Sequence, residues 1–337
     1  MSDWPSLIEN LAVNPCYQAI ADTEQGEGQA WSTPLSEHQL LVIQGADAVK
    51  FLQGQCTCDF SRLEKNEWLL GAHCNAKGRM HSSFTAAALG TQTIGLKVHR
   101  SIADTALAAL KKYIVFSKAD ITLSTAPIVG VYLEKNSTHI PGTDLLLPEV
   151  GSFSLHGDQP AVLRLDENRC ELWFYEEQQF KPLWQSLINT TSLTSPAFWH
   201  WLNIKAGRAE VCGDMVEKLI PQELNYQLID GISFSKGCYT GQEIIARMHY
   251  KAALKKHLYR CGILFSPEQF TPKFESLIKD GKGKKVGIVI DYEAKSAEHG
   301  ECLALINDDV SGDEDLIFEQ ESQAKLSWLA LPYAIPK

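Results

Sequence analysis

Apolar positions recur in short runs along the chain, and their spacing alternates between the period of a strand and that of a helix. Leu40, Leu41, Val42 and Ile43 form a continuous run closed by Gly45, which predicts a strand starting near His38. Asp47 then stands where it can cap a short helix through Val49, Phe51 and Leu52, ending near Gly54. From Trp68 to Leu96 the pattern is that of strands, Leu69 to His73 and Met80 to Leu89, joined by the turn Asn75-Ala76-Lys77-Gly78-Arg79. Ser101 to Tyr113 places Ile102, Leu107 and Leu110 on one broad face and reads as an amphipathic helix. Strands are expected at Ile121 to Leu123, Ile128 to Leu133, Ala161 to Leu165 and Leu172 to Tyr175, and helices at 176–188 and 196–206. The second of these helices crowds Phe198, Trp199, Trp201, Leu202 and Ile204 together. No regular β-α-β-α spacing emerges, so the class is α+β rather than a doubly wound parallel sheet.

After Lys256 the helical signal fades. Leu258 to Phe265, Lys285 to Tyr292, Cys302 to Ile306 and Ala324 to Leu331 are strand-like, which predicts a small C-terminal β-barrel or sandwich. The expected division is an N-terminal α+β domain over 1–150, a second α+β segment over 151–253 and the barrel over 254–337. The acidic run from Asp308 to Glu321 reads as a solvated loop, and the first forty residues carry little regular signal before His38.

Composition narrows the class. A chain of 337 residues, 45% hydrophobic and 21% charged, is long enough for two or three domains with real cores. Its formal net charge of −10 speaks against a dedicated DNA-binding protein. Nine scattered cysteines without a Cys-x-x-Cys pair suggest reduced thiols. Met1-Ser2-Asp3-Trp4-Pro5 is unlike a signal peptide, and His81 to Leu96, the least charged run, is too interrupted to span a membrane. A cytoplasmic location is expected. Cys56-x-Cys58, with His73 and Cys74 further along, fits no common zinc spacing, and on a strand the pair would share a packed face; no metal site is expected.

The densest concentration of special-purpose residues is Lys236-Gly237-Cys238-Tyr239-Thr240-Gly241-Gln242-Glu243. Thr240 and Glu243 have capping-box spacing before Ile244, Ile245 and Met248, placing Cys238 just upstream of a helix N-terminus. The helix dipole and Lys236 would favour a thiolate there, and Gly237 and Gly241 leave the backbone free to turn. Such a stretch suits an activated cysteine or a backbone cradle for an anion. Arg247, Lys251, Lys255, Lys256 and Arg260 follow as a basic block, a docking face for an acidic partner or a polyanion.

This octapeptide resembles the signature of the YgfZ family of folate-binding proteins, relatives of the T-protein (aminomethyltransferase) of the glycine cleavage system. Matching stretches are Gly45-Ala46-Asp47 with Gln53-Gly54-Gln55, His73 to Gly78, Lys111-Lys112-Tyr113 with Val115 to Lys118, Leu202-Asn203-Ile204 with Ala206-Gly207, and Leu331-Pro332-Tyr333. The resemblance implies a T-protein-like three-domain fold around a central opening that binds tetrahydrofolate or a derivative. It also implies support of iron–sulfur enzymes, such as the tRNA methylthiotransferases, hence a part in tRNA modification. Of the two tryptophans associated with folate in that family, one matches Trp199 and the other falls at His38, an imidazole with less stacking area. Arg79, Lys118 and Arg208 are further candidates for the folate carboxylates.

Two readings follow from the resemblance. One is a non-enzymatic accessory factor working through Cys238; the other is a folate-dependent one-carbon transferase. The T-protein supplies a carboxylate from a glycine-containing turn, but here the comparable turn, Lys77 to Ser82, has neither Asp nor Glu, which favours the accessory factor. Direct tRNA binding through the basic block is a third class, disfavoured by the net acidity.

Overall fold

A computed structural model of the chain describes residues 16–26, 29–251, 254–264, 270–310, 315–320 and 324–336. The opening residues Met1 to Pro5 and positions 311–314 and 321 of the acidic run lie outside the described residues.

Helix α1 (Cys16–Gln25) and strand β1 (Trp31–Pro34) come first. Little regular structure was expected there, because Ala19 and Ile20 are the only buried apolar residues of α1; contact with a later helix, not its own pattern, stabilises it. The apolar run at 40–43 forms β2 (His38–Gln44), followed by α2 (Ala48–Gln55). Asp47 does occupy the N-cap of α2, but its side chain makes no capping bond. Instead its carboxylate accepts the Lys118 N–H at 2.8 Å. Strands β3 (Leu69–Cys74), β4 (Met80–Gly90) and β5 (Thr93–His99), helix α3 (Ala103–Ile114) and β6 (Asp120–Leu123) complete the first unit. Its five strands are antiparallel in the order β3-β4-β5-β2-β6, and α3 packs on them.

A second sheet contains β1, β7 (Ile128–Tyr132), β8 (Phe153–Ser154), β9 (Ala161–Arg164), β10 (Arg169–Trp173) and β11 (Ser192–Leu193), in the order β11-β1-β7-β10-β9-β8. It therefore takes strands from both sides of residue 150. Helix α4 (Glu177–Thr190) precedes β11, and α5 (Pro196–Lys205) follows it. The two sheets share one core, in which Leu41, Ile43 and Leu96 meet Leu163, Trp173 and Trp199.

A buried ion pair fastens that core. Lys97 on β5 donates to Glu171 Oε1 on β10 at 2.5 Å, and the Trp173 indole donates to Oε2 at 2.7 Å. Burial opposes ionisation of Glu171, but Lys97 and the Trp173 N–H outweigh it and hold the carboxyl below its ordinary range.

The C-terminal part is a closed antiparallel barrel of β12 (Lys256–Leu264), β13 (Leu277–Asp280), β14 (Lys285–Ala294), β15 (His299–Asn307), β16 (Leu316–Phe318) and β17 (Lys325–Leu329), in the order β12-β15-β14-β13-β16-β17. Strand β16 corrects the reading of the acidic run as solvated loop throughout. Leu316 and Phe318 point inward there and pair with β13, a contact that neither short segment announces alone. No helix among the described residues is long and apolar enough to cross a membrane.

Candidate functional site

The Cys238 stretch is an irregular loop before α6 (Gln242–Tyr250), held by the C-terminal end of α2 and the loop that follows it. Lys236 donates through Nζ to the carbonyl oxygens of Cys56 at 2.8 Å and Cys58 at 2.7 Å, and lies 5.0 Å from the Tyr239 ring centroid. Burial pushes the Lys236 ammonium down, with the thiols of Cys58 and Cys56 and the Asp59 carboxylate opposing. Thr57, fully buried, donates its hydroxyl to the Gly231 carbonyl at 2.6 Å and accepts the Ala72 N–H at 2.9 Å. Lys236 thus serves as an anchor of the loop.

The expected capping box is not formed. Helix α6 begins at Gln242 with Gly241 at its N-cap, so Glu243 falls at the second helical position, and Thr240 donates its hydroxyl to Gln55 Oε1 at 3.3 Å. Gly241 has φ +83°, and a Cβ there would meet the Asn75 carbonyl oxygen at 2.6 Å. Close approach of the Asn75 turn therefore fixes the helix start one residue later than the Thr-x-x-Glu spelling implies. Glu243, exposed in the first turn, still complements the dipole. Gly237 meets nothing within 4 Å.

Cys238 is the one exposed thiol among the described residues. Cys56, Cys58 and Cys74 are buried, and desolvation pushes Cys58 up to about 12 and the other two upward as well. Cys56 closes α2 and Cys58 lies in the following loop, so the expected shared strand face is absent. No cluster of His, Cys, Asp and Glu suited to a metal occurs among the described residues. The basic block is also dispersed: Arg247 and Lys251 belong to the α6 end, whereas Arg260 donates to Glu301 at 2.7 Å from the barrel wall.

Trp199 and His38 do come together, at a cavity of about 190 Å³ whose lining contains none of residues 236–243. The Trp199 ring is 1% exposed. Its N–H points to Glu171 Oε1 at 3.3 Å, and Gly130 abuts its six-membered ring. His38 shares a 2.7 Å hydrogen bond between Nε2 and Glu210 Oε2, while its Nδ1 is buried without a protein partner. Burial opposes charge on Glu210, but His38, Lys97 and Arg208 outweigh it and hold the carboxyl well below its usual range.

Arg208 lines this cavity and also a larger cleft of about 650 Å³. The cleft draws Trp68 from before β3, Tyr132 and Arg169 from the second sheet, Lys205 from α5, Arg260 from β12 and Tyr333 from the C-terminal segment. The Arg208 guanidinium covers the Trp68 ring at 4.9 Å from its centroid. Arg79 lies away from both, donating to the Lys218 carbonyl, and Lys118 sits at the start of α2. Trp68 and Arg169 were not singled out from sequence, and Tyr333 only as part of a matching stretch, since residues so far apart carry no common spacing.

Two sheets and a barrel meeting at one cleft define the architecture of the glycine cleavage T-proteins. The aminomethyltransferase T of Bartonella henselae superposes with a TM-score of 0.69, covering 93% of this chain and 89% of that one at 14% identity, a likeness of fold. No protein-family model matches the sequence. The chain is 32% identical over 306 residues to the tRNA-modifying protein YgfZ of Sodalis glossinidius, spanning 89% of this chain and 92% of the relative. It is 31% identical over 315 residues, with the same coverage, to the tRNA-modifying protein YgfZ of Yersinia enterocolitica. The chain belongs to the YgfZ family.

Proposed function

We propose that this chain is a cytoplasmic folate-binding accessory protein that supports iron–sulfur enzymes such as tRNA methylthiotransferases, and thereby tRNA modification, through the thiol of Cys238. The observation that carries the reading is the exposure of Cys238 on a loop anchored by Lys236, whereas Cys56, Cys58 and Cys74 are buried. Tyr239 and Gly241 seat the loop on the Cys74–Gly78 turn, while Gly237, Cys238 and Glu243 face outward. Gln242 opens the supporting helix.

A tetrahydrofolate derivative fits the larger cleft by volume and by chemistry. About 650 Å³ lies within the ordinary range for such ligands, and the lining joins aromatic rings to cations, with Asp166 and Glu167 at the Arg169 side. Trp68 and Tyr333 offer surface to flat rings; Arg169 is held by Asp166 at 2.6 Å and by Asn203 at 3.1 Å, which leaves Lys205 and Arg208 to offer charge to the glutamate carboxylates. Trp199 and His38 stand on the far side of Arg208, where the free His38 Nδ1 could hydrogen-bond a pterin. When bound, the folate would supply a reduced pterin; the protein's part is to hold it and to exclude water from its rings.

The aminomethyltransferase alternative needs a carboxylate on the Lys77–Ser82 stretch, which has neither Asp nor Glu. Asn75 precedes it, its side-chain oxygen accepting the N–H groups of Lys77 and Arg79. Among the carboxylates lining the small cavity, Glu210 is engaged by His38, and Asp291 and Glu293 by His200. Direct tRNA contact through the basic block is weakened by the pairing of Arg260 with Glu301.

Cells lacking the native protein should regain tRNA methylthiolation with the wild-type chain but not with Cys238→Ser, whose purified fold should be unchanged; full rescue would remove Cys238 from the mechanism. Folate should quench tryptophan fluorescence, and Trp68→Ala and Trp199→Phe should each weaken the titration. An isotherm unaltered in both variants would sink the ligand assignment.

A further inference from the structure

The last turn of α3 leaves Tyr113 47% exposed, and the turn after it leaves Val115 70% and Phe116 95% exposed. Val49, 39% exposed, lies in the first turn of α2. Exposed apolar side chains gathered like this mark an interaction surface more often than scattered ones do. The two segments are fastened together: the Asp47 carboxylate accepts the Lys118 N–H at 2.8 Å, and the Asp47 N–H reaches the Lys118 carbonyl at 3.3 Å. At its other end α2 carries Gln55, which accepts the Thr240 hydroxyl, and runs into Cys56, whose carbonyl holds Lys236. A helix of eight residues is about 12 Å long, so the apolar turn and the exposed thiol sit at the two ends of one short strut.

The charge around the apolar side chains is positive. Lys50, Lys111, Lys112 and Lys118 are all exposed, and between 111 and 120 the sole acidic residue is Asp120. This stands out in a chain of net charge −10.

We propose that the strip from Phe116 along α2 to Cys238 is the docking face for a folded protein partner, one that presents an apolar socket for Val115 and Phe116 edged by carboxylates. The inference rests on the proposed role of Cys238, which docking would bring to the partner. A protein is favoured over single-stranded nucleic acid because Val115, prominent beside Phe116, has no π-face on which a base could stack. Complementarity selects an acidic surface, and the strut length lets one interface of ordinary size cover both ends.

The test uses a purified iron–sulfur tRNA methylthiotransferase and measures its binding to the full chain. Wild type and Cys238→Ser should both bind. Phe116→Ser should weaken binding about tenfold or more, as expected for an aromatic anchor removed from an apolar socket. Lys111→Glu with Lys112→Glu should weaken it most at low salt, with the difference shrinking as salt rises. Leu155→Ser, which removes an exposed apolar side chain elsewhere, should change nothing. Absence of binding by the wild type, or unchanged affinity of a folded Phe116→Ser chain, would overturn the docking face. So would a homodimer in ultracentrifugation that Phe116→Ser dissolves, or capture of tRNA by this strip in place of the enzyme. Failure of the underlying reading appears separately, as full rescue of methylthiolation by Cys238→Ser whatever the binding assay gives.

Discussion

The two glycines flanking Cys238 look alike in the sequence but should respond oppositely to the same substitution. At Gly241 a Cβ must adopt φ +83° and approach the Asn75 carbonyl oxygen to 2.6 Å. The left-handed backbone alone costs about 1–2 kcal/mol for a residue with a side chain, and relieving the contact means displacing backbone of the Asn75 turn. Gly241→Ala should therefore destabilise the chain by about 2–4 kcal/mol, as overpacking and backbone strain together typically do. Gly237 has no positive φ and no neighbour within 4 Å. There Gly→Ala should be neutral, or stabilising by up to about 1 kcal/mol through the unfolded chain. Denaturant titration of the two variants measures the contrast directly, provided the slope of the transition is unchanged. Hydrogen exchange should show accelerated amides across residues 232–242 in Gly241→Ala alone. Equal midpoints for the two variants would refute the argument that the Asn75 turn dictates where α6 begins.

Two further outcomes concern what holds the site's surroundings. Lys97→Met leaves Glu171 as a buried carboxylate stripped of its cation and should cost about 3–5 kcal/mol; adding Glu171→Gln should recover about 1–2 kcal/mol, measured by denaturation of the single and double variants. His200 on α5 shares hydrogen bonds with Asp291 at 2.7 Å and Glu293 at 2.9 Å on β14. Burial opposes its charge, but the two carboxylates outweigh that and raise its pKa well above the ordinary value. Because the folded-state pKa is raised, the stabilisation is fully present below about pH 6.5 and is lost as pH rises through the folded value. The stability difference between wild type and His200→Gln should accordingly narrow toward alkaline pH, and a difference that widens would contradict the ion-pair assignment.

Where a segment's own pattern is strong, sequence and structure agree closely. The run at 40–43 is a strand, Met80 begins a long one, and α5 occupies Pro196–Lys205 against an expected 196–206. Weak segments were missed for one shared reason. Helix α1, β13 and β16 each expose so few inward residues to a period count that only their partners, α5 and the neighbouring barrel strands, specify them. The capping-box reading failed differently. Thr240 and Glu243 have the right identities and spacing, but Gln55 takes the threonine hydroxyl, and a turn from a distant part of the chain takes the space at Gly241.

By itself the sequence determined the α+β class, the C-terminal barrel and the stretch that carries the proposed thiol, because these depend on local periodicity and on residue types gathered within a few positions. Tertiary structure decided which thiol is exposed and which are buried. It also decided that Lys236 anchors the loop through two backbone carbonyls, and that Trp199 and His38 meet beside a cleft assembled from both sheets and the barrel. Burial and long-range contacts are properties of chain segments brought together, and no spacing along a single segment encodes them.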